Sequence, residues 1–367
     1  MIILFKQYSL MKIHNFSAGP SMLPQEILER AAQAVLNFDD TGLSLIEISH
    51  RTPAFVEIMN EARQLALELL GLQNKGYTAL FLQGGASLEF ARLAYNFIKN
   101  EGKAGYVNTG TWANNAQNEA TLIGQVLEIA STKDEKYTSI PKEILIPEGL
   151  NYVHITSNNT IYGTQFKVFP KVEAPLICDM SSDIFSRNLD FSQFDMIYAC
   201  AQKNVGTSGI NLIVIKDELA KKGNKNLPNI MSYQSHIEKE SMYNTPSVFS
   251  VYVSYLTLKW MKDLGGITAL ERRNKAKSTL IYSEIDRNSL FYGSAVTPDR
   301  SDMNAVFNLK NEQLTVAFDT FCATHNISGL KGHRTVGGYR ASIYNALPIE
   351  SVMHLVDVMQ QFEKLYQ

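Results

Sequence analysis

The sequence has little of what would commit it to several large classes of protein. Its three cysteines, Cys178, Cys200 and Cys322, are few, odd in number and set among apolar residues. That argues for reduced core thiols and against a disulfide framework or a zinc site; no metal is expected. Charge is nearly balanced, 34 Lys and Arg against 36 Asp and Glu for a net of −2, and no basic stretch interleaves with aromatics as a nucleic-acid surface requires. No apolar run is long enough to span a bilayer, and the opening residues lack a signal-peptide cleavage pattern. A dinucleotide glycine fingerprint is missing too, which discriminates against a nucleotide-dependent dehydrogenase. With no nucleic-acid or membrane partner indicated, the expectation is a cytoplasmic protein that works on small molecules.

What remains is an ordinary globular composition, 45% hydrophobic and 19% charged, on a chain of 367 residues, longer than one hydrophobic core usually serves. Two domains are expected, a large one over 20–265 and a small one over 266–367, divided at Gly265-Gly266. Residues 11–19 are expected to pack near the small domain. Residues 1–10, ahead of a second methionine at Met11, read as a dispensable extension.

The most informative stretch is Asp195 to Gly206. Met196 to Ala201 has the length and composition of a buried strand, and it ends in Gln202-Lys203-Asn204 before a glycine turn. Upstream, Pro175 to Cys178 is a similar run that ends in Asp179. In open α/β sheets ligands bind outside the carboxyl ends of the strands, so a lysine and an aspartate there can face one crevice. A Schiff-base lysine and an aspartate for a pyridinium nitrogen are what pyridoxal phosphate requires of its protein. Alone, the pair reads better as a surface lysine and a helix-capping aspartate, since both residues are common at strand ends.

Other stretches add to it. Thr78 to Leu82 reads as a strand that enters Gln83-Gly84-Gly85-Ala86-Ser87, with a helix from about Leu88. Backbone N–H groups and a helix N-terminus there suit a monophosphate. Trp112 is expected in a loop after the Ala104–Val107 strand, where it can stack on a planar ring or simply pack in the core. Thr160 lies in a polar loop after the Asn151–Ile155 strand. Asn244-Thr245-Pro246 is a helix-entry signal whose side chains can also donate to a phosphate. Ser49-His50-Arg51 and Lys331-Gly332-His333-Arg334, with Arg340 beyond, supply guanidinium groups for an anion, or basic loops open to solvent. Alternating helices and short apolar strands from about 25 to 215 indicate a largely parallel sheet covered by helices, and the alternation around Met303 to Asn308 indicates an antiparallel sheet in the second domain.

Taken together, Asn15-Phe16-Ser17-Ala18-Gly19-Pro20, Ser49-His50-Arg51, Ala201-Gln202-Lys203-Asn204, Asn244-Thr245-Pro246, and Lys331-Gly332-His333-Arg334 followed by Gly337 to Asn345 resemble the phosphoserine aminotransferase family, in the class V, fold-type I group of pyridoxal-phosphate enzymes. The resemblance runs from Asn15 to the C-terminus. It implies an α/β large domain with a mainly parallel seven-stranded sheet, and a smaller α+β C-terminal domain. It also implies a homodimer with shared active sites. Lys203 would be the Schiff-base lysine and Asp179 the partner of the pyridine nitrogen. Trp112 would stack on the ring and Thr160 bond its phenolic oxygen, with Ala86, Ser87 and Gln202 at the phosphate, joined by Asn244 and Thr245 of the neighbouring subunit. Arg340 would bind the substrate α-carboxylate; His50 and Arg51 of the other subunit, with His333 and Arg334, would bind its distal anion. Ala18 and Ser87 depart from some members, which carry serine and arginine there.

The implied reaction moves the amino group of L-glutamate to 3-phosphohydroxypyruvate, giving O-phospho-L-serine and 2-oxoglutarate for serine biosynthesis. 4-Phosphohydroxy-L-threonine, on the route to pyridoxal phosphate, is an implied side substrate. The alternative is another class V aminotransferase with a different acceptor. Glyoxylate and alanine lack a second anion, so the His-Arg pairs discriminate against them. A non-catalytic binding protein on this fold would be expected to have lost Lys203 or Asp179.

Overall fold

The computed structural model describes residues 13–98 and 102–367; the expectations for residues 1–10, and for Met11 and Lys12, lie outside the described residues. The centre is a seven-stranded sheet in the order Tyr77–Gln83, Ile210–Lys216, Met196–Cys200, Leu176–Asp179, Val153–Thr156, Lys103–Asn108, Gln125–Ser131. Neighbours run parallel except Ile210–Lys216, which is antiparallel to the strands on both its sides.

Unbroken apolar runs make these strands because both faces are covered. Leu176, Cys178, Ile197 and Ala199 face one hydrophobic core, which includes helices Pro53–Leu69 and Val248–Asp263. Ile177, Met196 and Tyr198 face the other way, against helices Ala86–Phe97 and Thr111–Thr121. The period of two therefore splits each strand between two layers. Gln125–Ser131 escaped the sequence reading: it is an edge strand with no fully buried residue, so it has no apolar run to betray it.

A second core gathers around the antiparallel sheet Phe291–Gly293, Asn304–Leu309, Tyr339–Ser342, with helices Thr315–Thr324 and Ile349–Tyr366. Helix Gly266–Arg287 spans the two: Ile267 and Leu270 pack in the sheet core, and Ile281 and Ile285 in the second. Gly265 precedes it at φ 98°, a left-handed turn that glycine takes without strain. His14–Asn15 pairs in parallel with Ile327–Ser328, and Phe16 is buried in the second core. From there Ser17 to Ser21 crosses back to the sheet, where the Ser21 N–H donates to the Gln202 carbonyl at 2.9 Å.

Among the described residues no helix is long and apolar enough to cross a membrane, and no group of three or more His, Cys, Asp or Glu is placed to hold a metal ion.

Candidate active site

The carboxyl ends of Val153–Thr156, Leu176–Asp179 and Met196–Cys200 lie side by side, with Asp179 in register with Thr156 on one side and Tyr198 on the other. They open into a cavity of about 380 Å³ lined by Lys203, Asp179, Gln202, Ala86, Ser87, Trp112, Thr160, His333 and Arg340, among others. Nine residues singled out from six separate stretches of sequence therefore meet at one place.

Lys203 sits on the turn after its strand, where the Val205 and Gly206 N–H groups both donate to the Ala201 carbonyl. A side chain at Gly206 would come within 2.5 Å of Ser254 Oγ, so helix Val248–Asp263 can approach the turn only because the residue is glycine. The Ser21 hydroxyl donates to the Lys203 carbonyl at 2.6 Å. At the other end of the side chain, Nζ lies 5.9 Å from the centre of the Trp112 ring.

Asp179 is buried, and one carboxylate oxygen accepts from the Ser181 N–H at 2.9 Å. Burial pushes its pKa up from the ordinary carboxylate value; the Ser181 bonds and the Lys203 charge oppose that rise. A buried carboxylate held this way gains from a cation set against it.

Trp112 corrects an expectation. It lies in the first turn of helix Thr111–Thr121, not in a loop. Gly110 starts that helix at φ 155°, and a Cβ there would stand 2.9 Å from the Tyr162 ring. The indole N–H donates to the Thr160 hydroxyl at 3.1 Å, while the Thr160 carbonyl accepts from Arg340 at 3.0 Å. One threonine thus joins the flat ring to the guanidinium.

The end of the cavity where the sequence suggests a phosphate site is a helix N-terminus. Helix Ala86–Phe97 starts two residues earlier than the sequence suggested, from Gly85, and no side chain caps it. Its first N–H groups remain available to an anion, with the positive end of the helix behind them. The Gly85 carbonyl is itself held by the Asn211 side chain at 3.1 Å.

At the mouth, His333 Nδ1 bonds the Thr335 hydroxyl at 2.8 Å. Partial burial first, then the charges of Arg340 and Arg334, hold its pKa below the ordinary imidazole value; burial alone lowers that of Arg340. Arg334 lines a neighbouring hollow with His333, Lys331 and Asp319 rather than the cavity itself.

Four more predicted residues lie outside the cavity lining. Asn244 donates to Gln83 Oε1, and the Gln83 amide donates back to the Thr245 carbonyl at 2.8 Å. His50 and Arg51 occupy the loop ahead of helix Pro53–Leu69, with the Arg51 N–H on Ser49 Oγ at 3.2 Å.

Sequence reasoning missed Ser181, whose hydroxyl accepts from the Cys200 N–H at 3.1 Å and so ties two strand ends together. The signal was Asp179-Met180-Ser181, since an aspartate two residues before an N–H is an Asx turn. At Ala18, one of the two departures from the family pattern, the carbonyl accepts from the Tyr344 hydroxyl at 2.8 Å.

An amine, a buried carboxylate that favours a facing cation, a flat indole, a hydroxyl and an uncapped helix start are a donor set that fits pyridoxal phosphate. Residues 13–355 match the family model described as aminotransferase class-V. A phosphoserine aminotransferase of Flavobacterium psychrophilum is 59% identical over 353 residues, 96% of this chain and 99% of that one. The solved phosphoserine aminotransferase of Bacillus circulans subsp. alkalophilus is 43% identical with a TM-score of 0.94, over 97% of this chain and 99% of that one. The pyridoxal-phosphate-bound phosphoserine aminotransferase of Trichomonas vaginalis is 35% identical with a TM-score of 0.90, over 95% and 100%. The chain belongs to the phosphoserine aminotransferase family of class V aminotransferases, and its cofactor is pyridoxal phosphate.

Proposed function

We propose that this aminotransferase carries the amino group of L-glutamate to 3-phosphohydroxypyruvate, releasing 2-oxoglutarate and O-phospho-L-serine, as a step in serine biosynthesis. The observation that carries the reading is the single cavity with Lys203 and Asp179 at its floor and Arg340 and His333 at its mouth. Glutamate and phosphoserine each have a carboxylate at one end and a second anion at the other. One guanidinium for the α-carboxylate and a basic rim for the distal group therefore serve both halves of the cycle. 4-Phosphohydroxy-L-threonine has the same two ends and belongs to the same proposed substrate class.

Bound pyridoxal phosphate supplies a carbonyl that captures amines and a ring that withdraws electrons from the substrate α-carbon. Lys203 would hold the cofactor, and its Nζ, when free, would take the substrate's α-proton as a general base. Asp179 would face the ring nitrogen and favour a proton there, and that pairing would offset the cost of burying its carboxylate. Trp112 would lie against the cofactor ring; Thr160 sets the indole with its hydroxyl and Arg340 with its carbonyl. Arg340, aimed by that bond, orients the α-carboxylate so that the α-hydrogen faces Nζ.

We further propose a homodimer, in which Asn244 and Thr245 of a second copy reach the phosphate end and His50 and Arg51 of that copy complete the rim. Their position outside the cavity of a single chain supports this reading. Light scattering at working concentration reads the assembly directly; a monomer with full activity overturns it.

The test of function is the visible absorbance of the cofactor-loaded protein before and after O-phospho-L-serine. Bleaching of the yellow band, reversed by 3-phosphohydroxypyruvate, is the expected result. A band that ignores phosphoserine but bleaches with alanine moves the protein to another acceptor class.

A further inference from the structure

Two asparagines in the motifs, Asn204 beside Lys203 and Asn345 beyond Arg340, have no part in the chemistry so far. Both are buried. Asn204 Oδ1 accepts from the Asn345 N–H at 3.0 Å, and Asn204 Nδ2 donates to the Ser182 and Ile184 carbonyls at 3.3 Å each. Those partners fix the orientation of the carboxamide, because an N–H needs an acceptor and carbonyls need donors.

The three segments gripped by this one group carry the three principal functional side chains. Lys203 is the residue before Asn204, Asp179 lies three residues before Ser182, and Arg340 five before Asn345. Behind the contact, Asn345 Oδ1 accepts from Asn274 at 2.8 Å, Asn345 Nδ2 donates to the Phe185 carbonyl at 3.3 Å, and Asn274 also reaches the Ser186 carbonyl at 3.0 Å. Lys277, one turn further along the same helix, donates to the carbonyls of Ile343, Tyr344 and Leu347. The turn that follows the Arg340 strand is therefore pinned by side chains from both cores.

We propose that Asn204 is a positioning residue that sets the distance between the Lys203 amine and the Arg340 guanidinium. The inference rests on the roles proposed above for Lys203, Asp179 and Arg340. It follows from where the bonds lie: among the described residues, no other hydrogen bond joins the Lys203 turn directly to the segment after Arg340. A buried carboxamide with three satisfied bonds holds its partners more tightly than an apolar contact, since breaking it strands three polar groups.

The experiment compares wild type, Asn204→Ala, Asn274→Ala and a control, Met359→Ala, whose side chain lies in the second core away from the tie. All are studied as cofactor-loaded full chains. Three quantities are read: KM and kcat for glutamate, the pH midpoint of the visible band, and the thermal midpoint. Asn204→Ala is expected to lower kcat/KM by about 10- to 100-fold, the scale of an ångström of misplacement, and to move the band midpoint. Asn274→Ala shifts both in the same direction by less, and it decides the matter if Asn204→Ala does not fold. Met359→Ala lowers only the thermal midpoint. The tie is overturned if the Asn204 and Asn274 variants keep wild-type KM and band midpoint, or if Met359→Ala reproduces their shifts. A wild-type band that ignores both glutamate and O-phospho-L-serine overturns the functional reading and the tie with it.

Discussion

The floor of the cavity and its rim are built in opposite ways. The floor consists of residues at the ends of central strands: Asp179 is buried and bonded to Ser181, and Lys203 sits on a turn whose carbonyls are held from two sides. The rim is loop: His333 lines the cavity with its ring bonded to Thr335, while Arg334 and Arg51, both exposed, lie outside the cavity of the single chain. Buried groups joined by satisfied bonds are rigid, and loops carry the variation that changes ligands. On the proposed reading, chemistry belongs to the floor and discrimination between substrates to the rim. Arg340 stands between them, on a strand of the second sheet but bonded to the Thr160 carbonyl, in the loop that follows a strand of the first.

That division can be broken by substitution. Replacing Lys203 with Ala should cost the most, with turnover reduced by at least about 10⁴-fold and no band responsive to amino acids, because it removes both the nucleophile and the base. Single-turnover spectroscopy checks it; normal turnover would sink the assignment of the floor. Asp179→Asn comes next, with kcat lower by about 10²- to 10³-fold and KM little changed, since a neutral amide no longer stabilises a cationic ring. A large rise in KM with kcat intact would move Asp179 to the substrate side.

Arg340→Leu sharpens the comparison at its border. Glutamate and phosphoserine should both lose about 10²-fold in kcat/KM, because both present the same α-carboxylate. A loss confined to one of them would make Arg340 a rim residue.

The smallest expected effect concerns His333. Burial and its neighbouring cations hold its pKa below the ordinary value, so it is neutral at pH 7 and gains a charge only as the pH falls through that lowered value. Comparing KM for O-phospho-L-serine in wild type and His333→Gln cancels the titration of the phosphate itself. The wild-type advantage should grow a few-fold on acidification. An advantage that grows instead toward alkaline pH would remove His333 from the distal anion.

The floor was legible from sequence because apolar strand runs that end in a charged residue are local signals, and a ligand crevice follows from the sheet. The helix under Trp112 was not, because its short polar turn after Gly110 has no apolar periodicity until Ala113, Ala116 and Ala120. The carboxamide tie was invisible for a different reason. Asparagine reads as a turn residue, and nothing local tells that Asn204 and Asn345 meet across 141 positions. Bonds between distant segments are products of the fold, and only the fold reveals them.

The crossing made by residues 13–21 has a consequence for the order in which the enzyme is completed. His14 and Asn15 are among the first of the described residues to be synthesised, yet their strand partners are Ile327 and Ser328; the Phe16 carbonyl waits for the Ser342 N–H, and the Ala18 carbonyl for the Tyr344 hydroxyl. Chains are made from the amino end, and segments with local partners can settle first. The seven-stranded sheet can therefore assemble during translation before the far partners of this segment exist. Its docking, beside the Lys203 turn, comes only after nearly all of the polypeptide has emerged. A ribosome-bound chain halted before residue 327 would carry Lys203 and Asp179 and still lack the strap that closes their pocket, so competence for catalysis arrives in the last moments of synthesis.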